Sequence, residues 1–374
     1  MRSKKIYIHQ LKDWPALYWQ HERLVKPLAL VRHRQGRLIG RMEALGFKFR
    51  NEATLHTLTL DVLKSSEIEG EVLNADQVRS SIARRLGMDI AGLVPADRNV
   101  EGIVEMMLDA TQNYQAILTG KRLFSWHSAM FPTGRSGIQK IKVGAWRDNS
   151  IADPMQVVSG PMGRERVHFE APPSDLLKKE MTSFLDWFNK NQGDLDIVLK
   201  AGVAHLWFVT VHPFDDGNGR IARAIADMQL ARSDDSKHRF YSMSAQIRKD
   251  RSDYYEVLEK TQKGTLDITL WLEWFLNCLD RALVATEETL SVVLKKAEFW
   301  EANKETRFNP RQRLMMNKLV DHFEGKLTSS KWAKITKTSQ DSALRDILDL
   351  VERGILIKDP AGGRSSNYLL KEKA

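Results

Sequence analysis

The chain has 374 residues, of which 42% are hydrophobic and 28% charged, with a net charge of +9 and a pI near 9.4. That length accommodates two or three domains of ordinary globular composition, and the single Cys278 excludes an internal disulfide framework. The basic balance suits a polyanionic partner, and it fits a nucleotide pocket as well as a nucleic acid. The longest apolar run, Ala201 to Val211, falls short of the roughly 18 residues a membrane helix needs. The N-terminus MRSKKIYIHQLKDW lacks the apolar core of a secretory signal, so the expectation is a cytoplasmic chain without membrane association.

In chain order, the first expected helix runs from His21 to Leu45, with Leu24, Leu28, Val31 and Leu38 on its apolar side. A second carries Leu55, Leu58, Val62 and Leu63 into the acidic run Ser65-Ser66-Glu67-Ile68-Glu69-Gly70-Glu71. Core helices are expected over Arg98 to Tyr114 and over Leu123 to Phe131, the latter stopped by Pro132. Between Val143 and Pro173 the helical period lapses and short β-type runs such as Met155 to Val158 alternate with Gly and Pro, which reads as a hairpin. Pro172 to Asn189 reads as a helix capped by Ser174.

The densest chemistry follows. A buried helix, Ala201 to Val211, ends at His212 because Pro213 bars its continuation. Gly217 and Gly219 flank Asn218 in a loop that must turn tightly and present backbone N–H groups, and the apolar period resumes after Gly219. Arg220 therefore opens a second helix whose free N–H groups and positive dipole end make an anion site. Arg220 and Arg223 stand on one turn of it. Asp216 supplies a hard carboxylate for magnesium, which binds nucleotides through one or two carboxylates plus phosphate oxygens. His212 is the residue type that takes a proton from an attacking hydroxyl. Phosphoryl or nucleotidyl transfer is the chemistry this set fits. His205 lies two helical turns before His212, roughly 10 Å away, too far to share a metal.

Beyond the loop, Arg251 to Glu259 and Ile268 to Trp300 read as helices, and Glu301 to Phe308 as a polar linker. Residues 309–374 resemble a winged helix: Pro310 to His322, Ser329 to Ile335, Ser339 to Arg353, then Ile355 to Ile357 and Tyr368 to Leu370 as strands around Ala361 to Arg364. From Phe308 onward there are 13 Lys and Arg against 8 Asp and Glu. The expected recognition helix, however, carries Asp341, Asp346, Asp349 and Glu352, an acidic set ill suited to a phosphate-lined groove. Protein contact or a homodimer stands there beside DNA binding.

The run His212-Pro213-Phe214-Asp215-Asp216-Gly217-Asn218-Gly219-Arg220, with Arg223, resembles the signature H-x-F-x-[DE]-G-N-G-R-x-x-R of the Fic family. Most members of that family move AMP from ATP to a Ser, Thr or Tyr hydroxyl of a protein. The resemblance implies a mostly α Fic-type core near residues 96–290, an N-terminal helical region over 1–95, a helix end and linker over 291–308, and the winged helix at 309–374. It implies His212 as base, Asp216 as magnesium ligand, and phosphates cradled by Gly217, Asn218, Gly219, Arg220 and Arg223, with ATP as substrate. Phe214 is expected to point into the core. Ser65-x-x-x-Glu69-Gly70 resembles the family's inhibitory motif [ST]-x-x-x-E-[GN], whose glutamate engages the second signature arginine; Ser65 and Gly70 are then expected to cap and shape its helix. The hairpin containing Val157, Val158, Ser159 and Gly160 is similar to the family's flap, which aligns the target segment, and Tyr255 with Gln262 would border the adenine. Self-modification is expected, with the target protein open. Removal of AMP, transfer from another nucleotide, and a DNA-binding regulator with a vestigial core remain alternatives.

Overall fold

Helices dominate because the apolar residues recur at helical spacing and because many helix starts carry their own side-chain cap. The computed structural model describes residues 6–44, 47–88, 93–150, 152–161, 163–190, 193, 195–320, 323, 325–359 and 366–371, with side chains throughout these except at 47, 48, 288–298 and 301. The elements are α1 His21–Glu43, α2 Phe47–Ile68, α3 Ala75–Arg85, α4 Arg98–Gln112, α5 Gly120–Met130, a minimal hairpin β1 Arg135–Ser136 and β2 Gln139–Lys140, and a longer one, β3 Gln156–Ser159 and β4 Arg166–Glu170. Then come α6 Leu177–Asn189, α7 Ile197–Val211, α8 Asn218–Asp234, α9 Met243–Lys249, α10 Arg251–Gln262, α11 Thr269–Ala302, α12 Pro310–Val320, α13 Ser329–Thr336, α14 Gln340–Glu352, and the antiparallel pair β5 Leu356–Lys358 and β6 Tyr368–Leu370.

The chain divides into two compact units, Met1–Thr286 and Glu287–Ala374. In the first, α7 is the central rod: every residue from Val198 to Val211 is buried, which is why its sequence shows no polar stripe. Helix α8 packs along it, buried from Ile221 to Ala231, and α2, α4 and α5 close over α8. Helices α10 and α11 are fastened to α7 through polar side chains: His205 Nε2 meets the Tyr254 hydroxyl at 2.9 Å and the Trp271 indole donates to Gly202 O at 2.8 Å. His205 is thus a core imidazole, and burial lowers its pKa to about 3. Cys278 and Phe214 are fully buried.

The second unit holds α12 to α14 and β5–β6 around Trp332, Met315, Met316, Ile347, Leu350 and Leu356. Asp346 turns inward, accepting from Arg311 Nε at 2.7 Å and from Asn309 Nδ2 at 2.8 Å.

Several expectations shift. Helix α3 follows the acidic run directly, started by Asn74, whose side chain accepts from Gln77 N–H. Ser174 does not cap α6: Pro173 opens a short 3₁₀ turn over Ser174–Leu176, the serine hydroxyl donates to Asn149 O, and α6 begins at Leu177. Leu45, His322 and Ala361 to Arg364 lie outside the described residues.

Candidate active site

The site is built where α7 stops and α8 starts. His212 takes the left-handed conformation, φ 50°, as the C-cap of α7. Its Nδ1 lies 3.2 Å from Val209 O, a carbonyl that only accepts, so Nδ1 carries the proton and Nε2 is left as an acceptor. Burial lowers the His212 pKa to about 4, with the Arg147 charge adding to the effect, so the ring is neutral at neutral pH and competent to receive a proton.

The turn beneath is held by groups distant in sequence. Arg147, 2% exposed, donates from Nε to His212 O at 2.7 Å and from its backbone N–H to Pro213 O at 2.9 Å, while its Nη2 reaches Pro172 O at 2.5 Å. It satisfies carbonyls that the end of α7 leaves open. Phe214 stacks on His127 with centroids 4.2 Å apart. His127 Nδ1 accepts from Gly144 N–H at 3.1 Å, so its Nε2–H donates to Asp216 O at 3.2 Å. The Asn218 side chain folds back on Phe214, accepting from its N–H at 3.0 Å and donating to its carbonyl at 2.8 Å. That amide braces the loop, and what Asn218 offers a phosphate is its backbone N–H.

Gly217 sits at φ 80°, and a Cβ there would come within 2.9 Å of both Met130 and Phe131. It gives α8 no side-chain cap, whereas α3, α4, α5, α7, α9, α13 and α14 each have one. The N-terminus of α8 therefore keeps its anion-binding donors. Asp216 Oδ1 accepts from Gly217 N–H at 2.5 Å and its Oδ2 accepts from the Ser136 hydroxyl; Asp215 is tied to Lys142 N–H at 2.7 Å. Among the described residues no three acidic, His or Cys side chains cluster as a metal site. One carboxylate beside a triphosphate meets magnesium's needs, and the donor set at Asp216 fits that arrangement.

An acidic cover lies over this turn. Helix α2 ends in a Schellman-type cap, with Gly70 at φ 85° and Glu71 N–H on Ser66 O at 3.0 Å. The reversal aims two carboxylates at α8. Arg223, 2% exposed, donates from Nη2 to Glu69 Oε1 at 2.7 Å, from Nε to Ser65 Oγ at 2.9 Å, and from Nη2 to Ser65 O at 2.9 Å. Ser65 thus binds the arginine directly, where the sequence suggested only helix shaping. Arg220, over the Phe131 ring at 5.1 Å, donates from Nη1 to Glu71 Oε2 at 2.6 Å. Burial, the largest influence, would lower the Arg223 pKa, but the Glu69 carboxylate and the neighbouring Tyr254 and Tyr255 together outweigh it, and the net shift is upward. A Cβ on Gly219 would lie 2.2 Å from Glu69 Oε1, so the carboxylate rests against the start of α8. Two buried donors at this site, Arg220 Nε and Arg223 Nη1, have no hydrogen-bond partner among the described residues.

Tyr255 and Gln262 share one stripe of α10. Arg251 lies over the Tyr255 ring at 5.0 Å, burial and the Glu69 charge both raise the pKa of the Tyr255 hydroxyl, and Gln262 Nε2 donates to Thr210 Oγ1 at 3.3 Å, near the end of α7. In the hairpin, Val157, Val158 and Ser159 lie on β3 and Gly160 follows at φ 104°. No local pattern marks Arg147 or His127, whose partners lie 65 and 89 residues away. Glu71, two residues after Glu69, falls outside the motif that marks Glu69, and its pairing with Arg220 is visible only in the fold.

A helical core here turns a histidine and a bare, arginine-bearing helix start around one loop, donors of the kind that suit an anion. Residues 117–230 match the family model described as Fic/DOC family, and residues 7–88 match a domain of unknown function, DUF4172. The protein adenylyltransferase Fic of Nematostella vectensis is 34% identical over 119 residues, 32% of this chain and 26% of that protein. The protein of the same name from Aedes aegypti is 27% identical over 228 residues, 59% of this chain and 40% of that protein. The chain thus spans less than half the length of these relatives. Among solved structures, a Fic family protein from Desulfovibrio desulfuricans G20 has a TM-score of 0.56 at 20% identity, covering 96% of this chain and 99% of that one. A Fic domain containing signaling protein from Bacteroides thetaiotaomicron has a TM-score of 0.51 at 20% identity, covering 72% and 97%. Residues 117–230 are thus similar to the Fic/DOC family, and the helical fold is of the Fic type. No helix among the described residues is long and apolar enough to cross a membrane.

Proposed function

We propose that this chain is a protein adenylyltransferase, moving AMP from ATP to a Ser, Thr or Tyr hydroxyl of a protein, itself included, and that Glu69 restrains it. The observation that carries the reading is the pair of buried guanidinium groups on α8, Arg220 and Arg223, each balanced by a carboxylate that a polyphosphate can replace. The target hydroxyl oxygen forms a bond to the α-phosphorus as the bond to pyrophosphate breaks, and the hydroxyl proton passes to His212 Nε2. Arg220, Arg223 and the first N–H groups of α8 take the charge that gathers on the leaving pyrophosphate. Asp216 would hold magnesium, which when bound neutralises phosphate charge. Glu69, and by the same logic Glu71, occupies the donors the β- and γ-phosphates need.

Residues 309–374 fit a winged helix that meets protein rather than DNA. On α14 the outward positions Asp341, Leu344, Leu348 and Glu352 pair acidic with apolar side chains, Leu344 and Leu348 being 38% and 50% exposed.

Incubation of the purified protein with ATP labelled at either the α- or the γ-phosphate tests the activity. Label is expected on protein from the α-position alone. Label from the γ-position would mean phosphoryl transfer, and label from neither, in wild type and in Glu69→Gly, would remove the assignment.

A further inference from the structure

The hairpin β3–β4 contains a connected set of side chains that the mechanism above does not use. The register pairs Val157 with Phe169 and Val158 with Val167, so His168 is the extra residue of a β-bulge. Bulges re-aim side chains, and this one turns the imidazole into two bonds. His168 Nδ1 lies 2.6 Å from Glu259 Oε2 on α10, and His168 Nε2 lies 2.6 Å from the Ser159 hydroxyl on β3. Glu259 also accepts from Arg166 Nη2 at 3.1 Å and pairs with Lys263 at 2.5 Å. Burial would raise its pKa, but the bonds from Lys263, His168 and Arg166 hold it down at about 2. An ionised carboxylate only accepts, so Nδ1 is the protonated nitrogen. The Ser159 hydroxyl donates to a neutral ring and can accept from a protonated one, so the set stays bonded in either state.

We propose that His168, backed by Glu259, is a positioning residue that fixes the outer half of the flap and thereby the register in which an extended target segment is presented to His212. The inference rests on the adenylyltransferase reading and on the hairpin's role as flap. A two-stranded hairpin is marginal alone. Its inner end is anchored by Phe169 and Ala171 packing on Tyr7, and by His9 on Glu170 O at 2.8 Å. Its outer end has no such apolar anchor: Val158 and Ser159 are exposed, and among the described residues β3 pairs with β4 alone. One imidazole joins β3, β4 and α10 there. Glu259 lies between Tyr255 and Gln262 on the same stripe of α10, so the helix proposed to wall the adenine also holds the strand proposed to guide the target. A target added along β3 inherits the position of that strand through main-chain bonds, and a shift of about 1 Å at the reacting oxygen costs on the order of a hundredfold in rate.

The test compares His168→Ala, His168→Gln and Glu259→Gln, each in full-length protein and in the Glu69→Gly background. Hydrogen exchange of the amides of residues 156–170 should accelerate in His168→Ala and Glu259→Gln, with α7 and α8 unchanged. Self-transfer of AMP from labelled ATP should fall on the order of tenfold to a hundredfold in kcat while the KM for ATP moves less than about twofold. His168→Gln, which can still bridge a hydroxyl and a carboxylate, should recover part of the loss. Unchanged hairpin exchange in His168→Ala overturns the proposal, and so does an equal loss in kcat and ATP affinity, which would mark a general structural defect. If Glu69→Gly itself transfers no AMP, the adenylyltransferase reading fails, while the exchange measurement still decides whether the clamp exists.

Discussion

The loop at residues 212–219 is held from two sides by contacts of opposite kind. Beneath it, Arg147, His127 and the Asn218 amide bond to backbone atoms, and all three are buried to 2% exposure or less. Above it, Glu69 and Glu71 bind side chain to side chain, and their carboxylates remain 32% and 36% exposed. The first set is a cradle, since removing any member strands a buried polar group. Under the proposed function the second is a removable cover, since solvent can take over each carboxylate and a polyphosphate each arginine. Substitutions below should alter folding, and substitutions above should alter occupancy.

The largest effect separates chemistry from both. His212→Ala should lower AMP transfer by about 10²- to 10⁴-fold, the usual contribution of a general base, and His212→Asn should do the same while tolerating the left-handed backbone. Circular dichroism should show both folded. Wild-type turnover in either folded variant would take His212 out of the reaction.

Next comes the cover. A hydrogen bond to a charged group is worth roughly 1.5 to 3 kcal/mol, so Glu69→Gly should increase AMP transfer at limiting ATP by about ten- to a hundredfold. Glu71→Gln frees Arg220 but leaves Arg223 held, and should give a smaller rise of a few-fold. Titration calorimetry with ATP and magnesium checks both. If neither variant binds ATP more tightly than wild type, the carboxylates are only neutralising a buried pair.

The cradle answers to acid. The unfolded chain protonates His127 near pH 6.5 and the folded chain only near 4, because burial disfavours the imidazolium. Between those values the unfolded state binds more protons, so stability falls as pH falls, by about 3 kcal/mol from this group, and levels off below pH 4. His205 and His212 are shifted in the same direction. Denaturant midpoints measured from pH 7 to 4 should drop, and His127→Gln should flatten part of the slope while lowering stability at pH 7.

How much of this was legible in the sequence follows from distance along the chain. The run from His212 to Arg223 was legible as one cluster because its histidine, carboxylates, glycines and arginines are contiguous and stand where one helix stops and the next starts. The helical class was legible for the same local reason, in periods and caps. Arg147, His127, Glu71 and the His168–Glu259 pair were not, because each acquires its meaning from a partner 65 to 149 residues away and none alters the local pattern. Ser174 misled through proximity: two prolines before it set a 3₁₀ turn that a cap rule does not anticipate.

The smallest expected effect concerns the second unit. Every residue assigned to the cradle, the cover and the clamp lies within Met1–Thr286, and none lies among Glu287–Ala374. The second unit has a hydrophobic core of its own, built on Trp332 and reaching Phe299, Trp300 and Phe308, so a cut at Phe308 would leave those rings uncovered, whereas a cut after Thr286 follows the boundary. A chain ending at Thr286 should therefore keep ATP affinity within about twofold and, in the Glu69→Gly background, keep self-transfer at sites within residues 1–286, since chemistry is set by positioning at the reacting atoms. What it should lose is partner choice. A soluble, monodisperse truncation with ATP binding intact but no self-transfer would mean that the second unit carries the acceptor hydroxyl. Loss of both would mean that the second unit supports the site itself.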